Sequence, residues 1–158
     1  VIPILEQPES KNGLPDSVAR PIDYIYLSKL LPLVHERLKT LNDIVDAVDF
    51  FFVEDVSLNL EELPGRKSDY EIAKNALEQS VALLNEIDLI KPNEVESKFR
   101  FLVDSLGLKA GQVFTPIRVA ITGKRFAPPL FETIVGIGRD RTISRIAKAI
   151  DELNKVTM

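Results

Sequence analysis

Apolar side chains recur at helical spacing through this chain and no stretch alternates as a strand, a pattern that predicts an all-α fold. From Tyr24 to Leu41 the stripe is Tyr24, Leu27, Leu30, Leu31, Val34, Leu38 and Leu41, with a kink expected at Pro32. Asn42 is placed to cap a short helix from Asp43 to Asp49, whose acidic first turn suits the helix dipole. Ser68 with Glu71, and Asn93 with Glu96, have capping-box spacing for helices running to Glu86 and to about Gly107. Between Gln112 and Ile121 the stripe is Val113, Phe114, Ile117, Ala120 and Ile121, with Arg118 on a different side. Gly123 stops that helix and leaves Lys124 and Arg125 at its C-terminal end. Pro129 suits the first turn of the next helix, through Leu130, Phe131, Ile134 and Val135, and Gly138 is its C-cap before a last helix from Arg139 to Asp151.

Prolines and glycines divide these elements. Residues 1 to 21 carry Pro3, Pro8, Pro15, Pro21 and Gly13 and read as a loop. Residues 54 to 67 hold acidic residues, Pro64 and Gly65 with little apolar periodicity, which marks a boundary. The expectation is two packed helical subdomains: residues 1–60, N-terminally truncated and irregular over the first 22, and residues 61–158 with a basic C-terminal half. At 158 residues roughly 70% of the unfolded surface can be buried, enough for a real core. The absence of cysteine excludes disulfides and thiolate metal sites, and no apolar run approaches the ~20 residues of a membrane span. A soluble, cytoplasmic protein is expected. Val1 begins no signal-peptide pattern, so the chain reads as an excised part of something longer.

The net charge of −4 hides an asymmetry. Residues 98 to 158 hold eleven Lys or Arg against five Asp or Glu, a balance of +6, while residues 1 to 97 stand at −10. Lys109, Arg118, Lys124, Arg125, Arg139, Arg141 and Arg145 accumulate in the positive part, where a nucleic-acid partner is expected to meet the chain. An ordinary solvated face is the plain alternative. Catalytic sets are poorly supported: His35 is the only histidine, so neither a zinc His pair nor a Ser-His-Asp set can be assembled, and a surface or capping role suits it better. Gly123-Lys124-Arg125 lacks the hydroxyl residue and upstream glycine of a phosphate loop, and Gly136 with Gly138 lacks a third glycine, so both read as structural.

Residues 106 to 132, LGLKAGQVFTPIRVAITGKRFAPPLFE, resemble the C-terminal anticodon-binding domain of bacterial-type glutamyl-tRNA synthetases. A Lys-x-Gly-Gln-Val helix, a Pro-x-Arg step, a Thr-Gly turn and a Pro-x-Leu-Phe-Glu helix start occur there in this order. VGIGRDRTISRIAKAI at 135 to 150 is similar to the family's closing helix, and residues 30 to 52 to the helix pair that opens the domain. The resemblance covers about Tyr24 to Ile150. It implies an α-helical anticodon-binding module of an aminoacyl-tRNA ligase of bacterial or organellar origin, at work in protein biosynthesis. The implied partners are the anticodon loop of tRNA for glutamate and the catalytic domain of the same polypeptide, in a monomer with no membrane contact.

The family's ATP-binding signatures, of His-Ile-Gly-His and Lys-Met-Ser-Lys-Ser type, are absent from this sequence. No catalytic, cofactor or metal residues are therefore expected in the chain, and ATP and magnesium are implied only for the full-length enzyme. What the resemblance places here is RNA contact. Arg37 falls at an arginine that reads the anticodon and helps exclude glutamine anticodons, and Arg118 at the arginine of the Pro-x-Arg step. Ala127, Pro128 and Leu130 match the loop around a splayed-out middle anticodon base; some relatives carry a hydroxyl residue where this chain has Ala127, so there only a backbone contact is expected. Lys124 and, at a phosphate, Arg100 complete the expected set. The run Val48, Phe50, Phe51, Phe52 and Val53 reads as core. The alternative function is a helical protein-interaction module whose basic face docks an acidic partner.

Overall fold

The computed structural model describes residues 2–34, 38–40, 43–54, 56, 58–64, 68–87, 91–124 and 129–157. Eight α-helices lie among them and no strand, so the fold is all-α: α1 (Ile2–Leu5), α2 (Tyr24–Val34), α3 (Ile44–Phe52), α4 (Tyr70–Glu86), α5 (Pro92–Leu106), α6 (Ala110–Thr122), α7 (Leu130–Ile137) and α8 (Arg139–Thr157). Two compact units, Val1–Asp55 and Val56–Met158, divide the chain.

In the first unit the segment expected as a loop is ordered by closure onto itself. Prolines do keep its helical turns short, α1 and a single 3-10 turn at Glu9–Lys11. The Leu14 N–H then returns to the Leu5 carbonyl at 3.0 Å, and Leu5 and Leu14 are both fully buried. Gly13 is required where the chain crosses itself, because a Cβ there would lie 1.8 Å from the Gln7 carbonyl oxygen. Arg20 fastens the result with all five donors of its guanidinium. Nε bonds the Glu6 carbonyl (3.3 Å), Nη1 those of Pro15 (3.0 Å) and Val18 (2.6 Å), and Nη2 those of Gln7 (2.9 Å) and Leu14 (2.8 Å). Hydrophobic periodicity carries no trace of such an arrangement, which depends on one side chain reaching carbonyls up to 14 residues away.

Asp23 opens α2, its Oδ1 accepting the Ile25 and Tyr26 N–H groups at 3.0 and 3.2 Å. Pro32 lies inside that helix as expected, and Leu27, Leu30 and Val34 form its buried stripe. Leu41, Asn42, His35 and Arg37 fall outside the described residues. Asp43 precedes α3 and accepts the N–H groups of Lys39 and Thr40 at 2.9 and 3.0 Å. Those two backbone bonds, Thr40's first, hold its carboxyl below the usual carboxylate range. The helix runs three residues past Asp49 to Phe52, burying Ile44, Val48, Phe50 and Phe51. Tyr26 stands edge-on to Phe52, 5.5 Å between centroids, and its hydroxyl donates to the Phe51 carbonyl at 3.3 Å, which joins α2 to α3.

In the second unit α4, α6 and α8 pack mutually, while α5 lies on α7. Two helix starts differ from expectation. Asp69, not Ser68, caps α4, accepting the Ile72 N–H at 2.9 Å, and the Ser68 Oγ is buried without a partner. A carboxylate is the better acceptor beside the positive helix end. At α5 the box Asn93–Glu96 does not form: Pro92, with φ already near the helical value, takes the first helical position and draws Asn93 inside the helix. Glu96 then points forward to Arg100 instead of back to a cap. The expected stops hold, since Gly107 and Gly123 both adopt left-handed φ values, 68° and 75°.

Candidate nucleic-acid interface

Alanine and glycine open α6, and its first turn is closed by Gln112, whose Oε1 accepts the Lys109 N–H at 2.8 Å while the Lys109 carbonyl accepts the Gln112 N–H at 3.0 Å. The helix continues through Pro116, so the Pro-x-Arg step sits on helical backbone. Val113, Ile117, Ala120 and Ile121 are buried as the stripe predicts, and Pro116, Val119 and Thr122 join them because α4 and α8 both pack on this helix. Phe114 is the exception. It is half-buried, and its ring stands edge-on to the buried Phe131 of α7, 5.3 Å between centroids at 88°, an arrangement that contributes about 0.5 to 1.5 kcal/mol beyond area burial.

Phe114 gathers several of the expected RNA-binding residues. The Arg100 guanidinium lies 5.6 Å from its centroid, close enough for a cation–π contact. Arg118 follows it by one helical turn on the same face and is half-buried. Leu130 starts α7 beside Phe131. The residue is only 3% exposed, which makes it core. Arg100 is also paired with Glu96 at 3.1 Å, both side chains well solvated at 58% and 42% exposure, so that ion pair is worth no more than about 1 kcal/mol. Lys124 is half-buried just past the Gly123 turn; its N–H donates to the Thr122 Oγ1 at 3.0 Å. Arg37, Ala127 and Pro128 lie outside the described residues, as does Arg125. Pro129 immediately precedes α7 instead of occupying its first turn, and its carbonyl accepts from both the N–H (3.0 Å) and the Oγ1 (2.8 Å) of Thr133.

The arginines of α8 behave differently from the solvated cations that charge counting suggests. Each donates to a carbonyl at the C-terminal end of another helix. Arg139 bonds the Ile87 carbonyl, which ends α4. Arg141 bonds the Ile137 carbonyl, the last of α7, at 3.2 Å. Arg145, only 2% exposed, bonds the Ile121 carbonyl near the end of α6 at 2.7 Å. Helix C-termini present carbonyls without intrahelical partners and carry the negative end of the dipole, so a guanidinium suits each on both counts. Among the described residues from 98 onward Lys98, Arg100, Lys109, Lys148 and Lys155 are exposed, while Arg118, Lys124, Arg139 and Arg141 are half-buried. Sequence reading missed both Phe114 as a surface group and the inward role of Arg145. The only signal available for the latter was its place in the apolar register of α8, one residue before Ile146 and four before Ala149, which are both buried.

Among the described residues no group of three His, Cys, Asp or Glu side chains is placed to hold a metal ion, and no helix is long and apolar enough to cross a membrane. Gly123 and Gly138 both have positive φ at helix ends, which accounts for the two short glycine motifs structurally.

A family model described as an anticodon binding domain matches residues 6–150. A glutamate–tRNA ligase of a Roseiflexus species is 39% identical over 140 residues, 89% of this chain and 28% of that protein. A glutamate–tRNA ligase 2 of Thermoanaerobacter pseudethanolicus is 35% identical over 158 residues, 99% of this chain and 31% of that protein. The chain thus spans less than a third of the length of these relatives. A crystal structure of a glutamate tRNA ligase from Elizabethkingia meningosepticum in complex with its amino acid superposes with a TM-score of 0.73 at 25% identity, over 84% of this chain and 26% of that one.

Proposed function

Since the chain belongs to the anticodon binding domain family, we propose that it is the tRNA-reading part of a glutamate–tRNA ligase, holding the glutamate anticodon so that a separate catalytic domain of the same polypeptide charges the correct tRNA. The observation that carries this reading is the surface around Phe114. A solvated cation (Arg100), a half-buried cation (Arg118) and an aromatic face meet beside the start of α7. Unpaired bases offer faces for stacking and edges for hydrogen bonds, and phosphates offer charge, so this combination suits single-stranded RNA.

In this reading Arg118 contacts an anticodon base, Ala127, Pro128 and Leu130 surround the middle base, Lys124 and Arg100 meet phosphates, and Arg37 excludes glutamine anticodons. ATP and magnesium serve the catalytic domain. The protein acts as a monomer in the cytoplasm.

The test is a titration of the chain with a glutamate-tRNA anticodon stem-loop at two salt concentrations, with a loop altered at the middle anticodon base as control. We expect salt-steep binding that weakens on the altered loop, and a larger loss from Arg118→Ala than from Lys155→Ala. A desolvated, charge-assisted bond at Arg118 is worth about 1.5 to 3 kcal/mol, whereas Lys155 is a solvated group paired with Glu152 at 3.2 Å and contributes a screened contact. Equal binding of both loops, or equal losses in both variants, overturns the base-reading role. A protein partner docking on the same basic face would depend on neither unpaired bases nor the middle base.

A further inference from the structure

The last turn of α6 is held more completely than an ordinary helix end. The Gly123 N–H returns to the Val119 carbonyl at 2.8 Å. Thr122, 3% exposed, lies within hydrogen-bond distance of three backbone groups through its Oγ1: the carbonyls of Arg118 (2.7 Å) and Lys124 (3.0 Å), to which it can donate, and the Lys124 N–H (3.0 Å), which it accepts. Both backbone partners belong to residues proposed above to meet RNA. From the other side, the buried Arg145 guanidinium of α8 holds the Ile121 carbonyl at 2.7 Å. The Arg145 bond therefore lands one residue before Thr122 and three after Arg118.

We propose that Arg145 is a positioning residue for RNA reading: its guanidinium fixes the final turn of α6, and through Thr122 it fixes both the backbone that carries Arg118 and the exit toward residues 125 to 128. The role rests on the anticodon-reading proposal above for its purpose, though not for its geometry. Burial is what gives the bond its leverage. A guanidinium shielded from water has no solvent to exchange with, so the Ile121 carbonyl cannot drift without leaving a buried charge short of a partner. The two neighbouring arginines at the start of α8 hold the ends of other helices. Arg141 bonds the end of α7, and Arg139 bonds the end of α4, on the opposite side of the sequence from the reading turn.

Three variants of the 158-residue chain test the idea: Arg145→Met, similar in length but without donors; Arg145→Lys, which keeps one cationic donor group; and Thr122→Val, which removes the hydroxyl and leaves the guanidinium in place. Each is studied at a temperature where its helical circular dichroism equals that of the wild type. Amide hydrogen exchange reads the turn directly. We expect the Gly123 and Lys124 amides of Arg145→Met to exchange at least tenfold faster relative to the amides of α5, those of Arg145→Lys to fall between Met and wild type, and Lys124 to loosen in Thr122→Val. Binding to the cognate and middle-base-altered stem-loops reads the consequence: the ratio of their affinities should fall at least fivefold in Arg145→Met and partly recover in Arg145→Lys. Affinity for heparin, a polyanion without bases, should change less than twofold.

If Arg145→Met does not fold, Arg145→Lys against Thr122→Val provides the same two readouts. Lower stability with unchanged exchange at Gly123 and Lys124 and an unchanged affinity ratio overturns the proposal and leaves Arg145 an ordinary buried arginine. Failure of the wild type itself to distinguish the two stem-loops instead overturns the anticodon-reading role, and the exchange data then decide by themselves whether Arg145 fixes the turn.

Discussion

Replacing Arg20 should open the N-terminal segment of the first unit without touching any helix longer than four residues. Of its five carbonyl partners, the bond to Gln7 is solvated and the other four, to Glu6, Leu14, Pro15 and Val18, are partly buried. A net hydrogen bond contributes about 1 kcal/mol, so Arg20→Met should cost about 3 to 4 kcal/mol, with the Gln7 carbonyl rehydrated at little penalty. Arg20→Lys keeps the charge but has only three donors. At least two carbonyls then go without, and the cost should be about 2 kcal/mol. The assay is amide exchange at Leu14, whose N–H closes the segment onto the Leu5 carbonyl. At about 1.4 kcal/mol per tenfold, Arg20→Met should speed that exchange more than a hundredfold and Arg20→Lys roughly thirtyfold. Protease cutting between residues 7 and 19 should rise in the same order. A change of less than tenfold in Arg20→Met would refute the reasoning, because the five bonds would then be geometry without free energy.

Asp43 should titrate below the ordinary carboxylate value, since its charged form accepts the Thr40 and Lys39 N–H groups. Because its folded pKa is depressed, its contribution to stability is complete above the unfolded pKa of about 3.9 and is lost as pH falls through the folded value; a carboxyl midpoint by NMR at or above that unfolded value contradicts this. Asp69→Ala removes the side-chain cap of α4 and should lower stability by about 1 kcal/mol, readable as an earlier urea midpoint with an unchanged slope, whereas Ser68→Ala should be close to neutral. In a complete ligase, Arg37→Gln should weaken discrimination between glutamate and glutamine tRNAs by about 1 to 3 kcal/mol, the worth of a bidentate base contact, and unchanged relative charging would return Arg37 to a structural role.

Helix existence was legible wherever apolar spacing and glycine stops agreed, as in α6, where four of the five stripe residues are buried and Gly123 marks where the helix ends. Helix starts were less so. Ser68 and Asp69 are adjacent acceptors, and the choice between them depends on which backbone turns helical first; at α5, Pro92 settled the start one residue ahead of the box. Arg20 and Arg145 show the harder limit. Both are single cations whose partners are backbone carbonyls, and carbonyls are the same at every position of a sequence. Whether such a cation faces a phosphate or a helix end is decided only when distant segments meet. The motif order from Lys109 to Glu132 pointed correctly to the family, but motif order alone could not say that Leu130 is core while Phe114 reaches the surface.

The arginines on α8 also bear on how an anion would experience this molecule. Counterion release scales with the phosphates actually neutralised, at a slope of about −0.7 per phosphate for a single strand. Arg139, Arg141 and Arg145 have carbonyls as partners, so the ions condensed on an approaching RNA are displaced chiefly by the exposed Lys98, Arg100, Lys109, Lys148 and Lys155 and the half-buried Arg118 and Lys124. The eleven positive charges of residues 98 to 158 therefore exert a weaker pull than their number implies. Such a surface holds any polyanion loosely and leaves a larger share of the binding free energy to contacts that depend on which base is present.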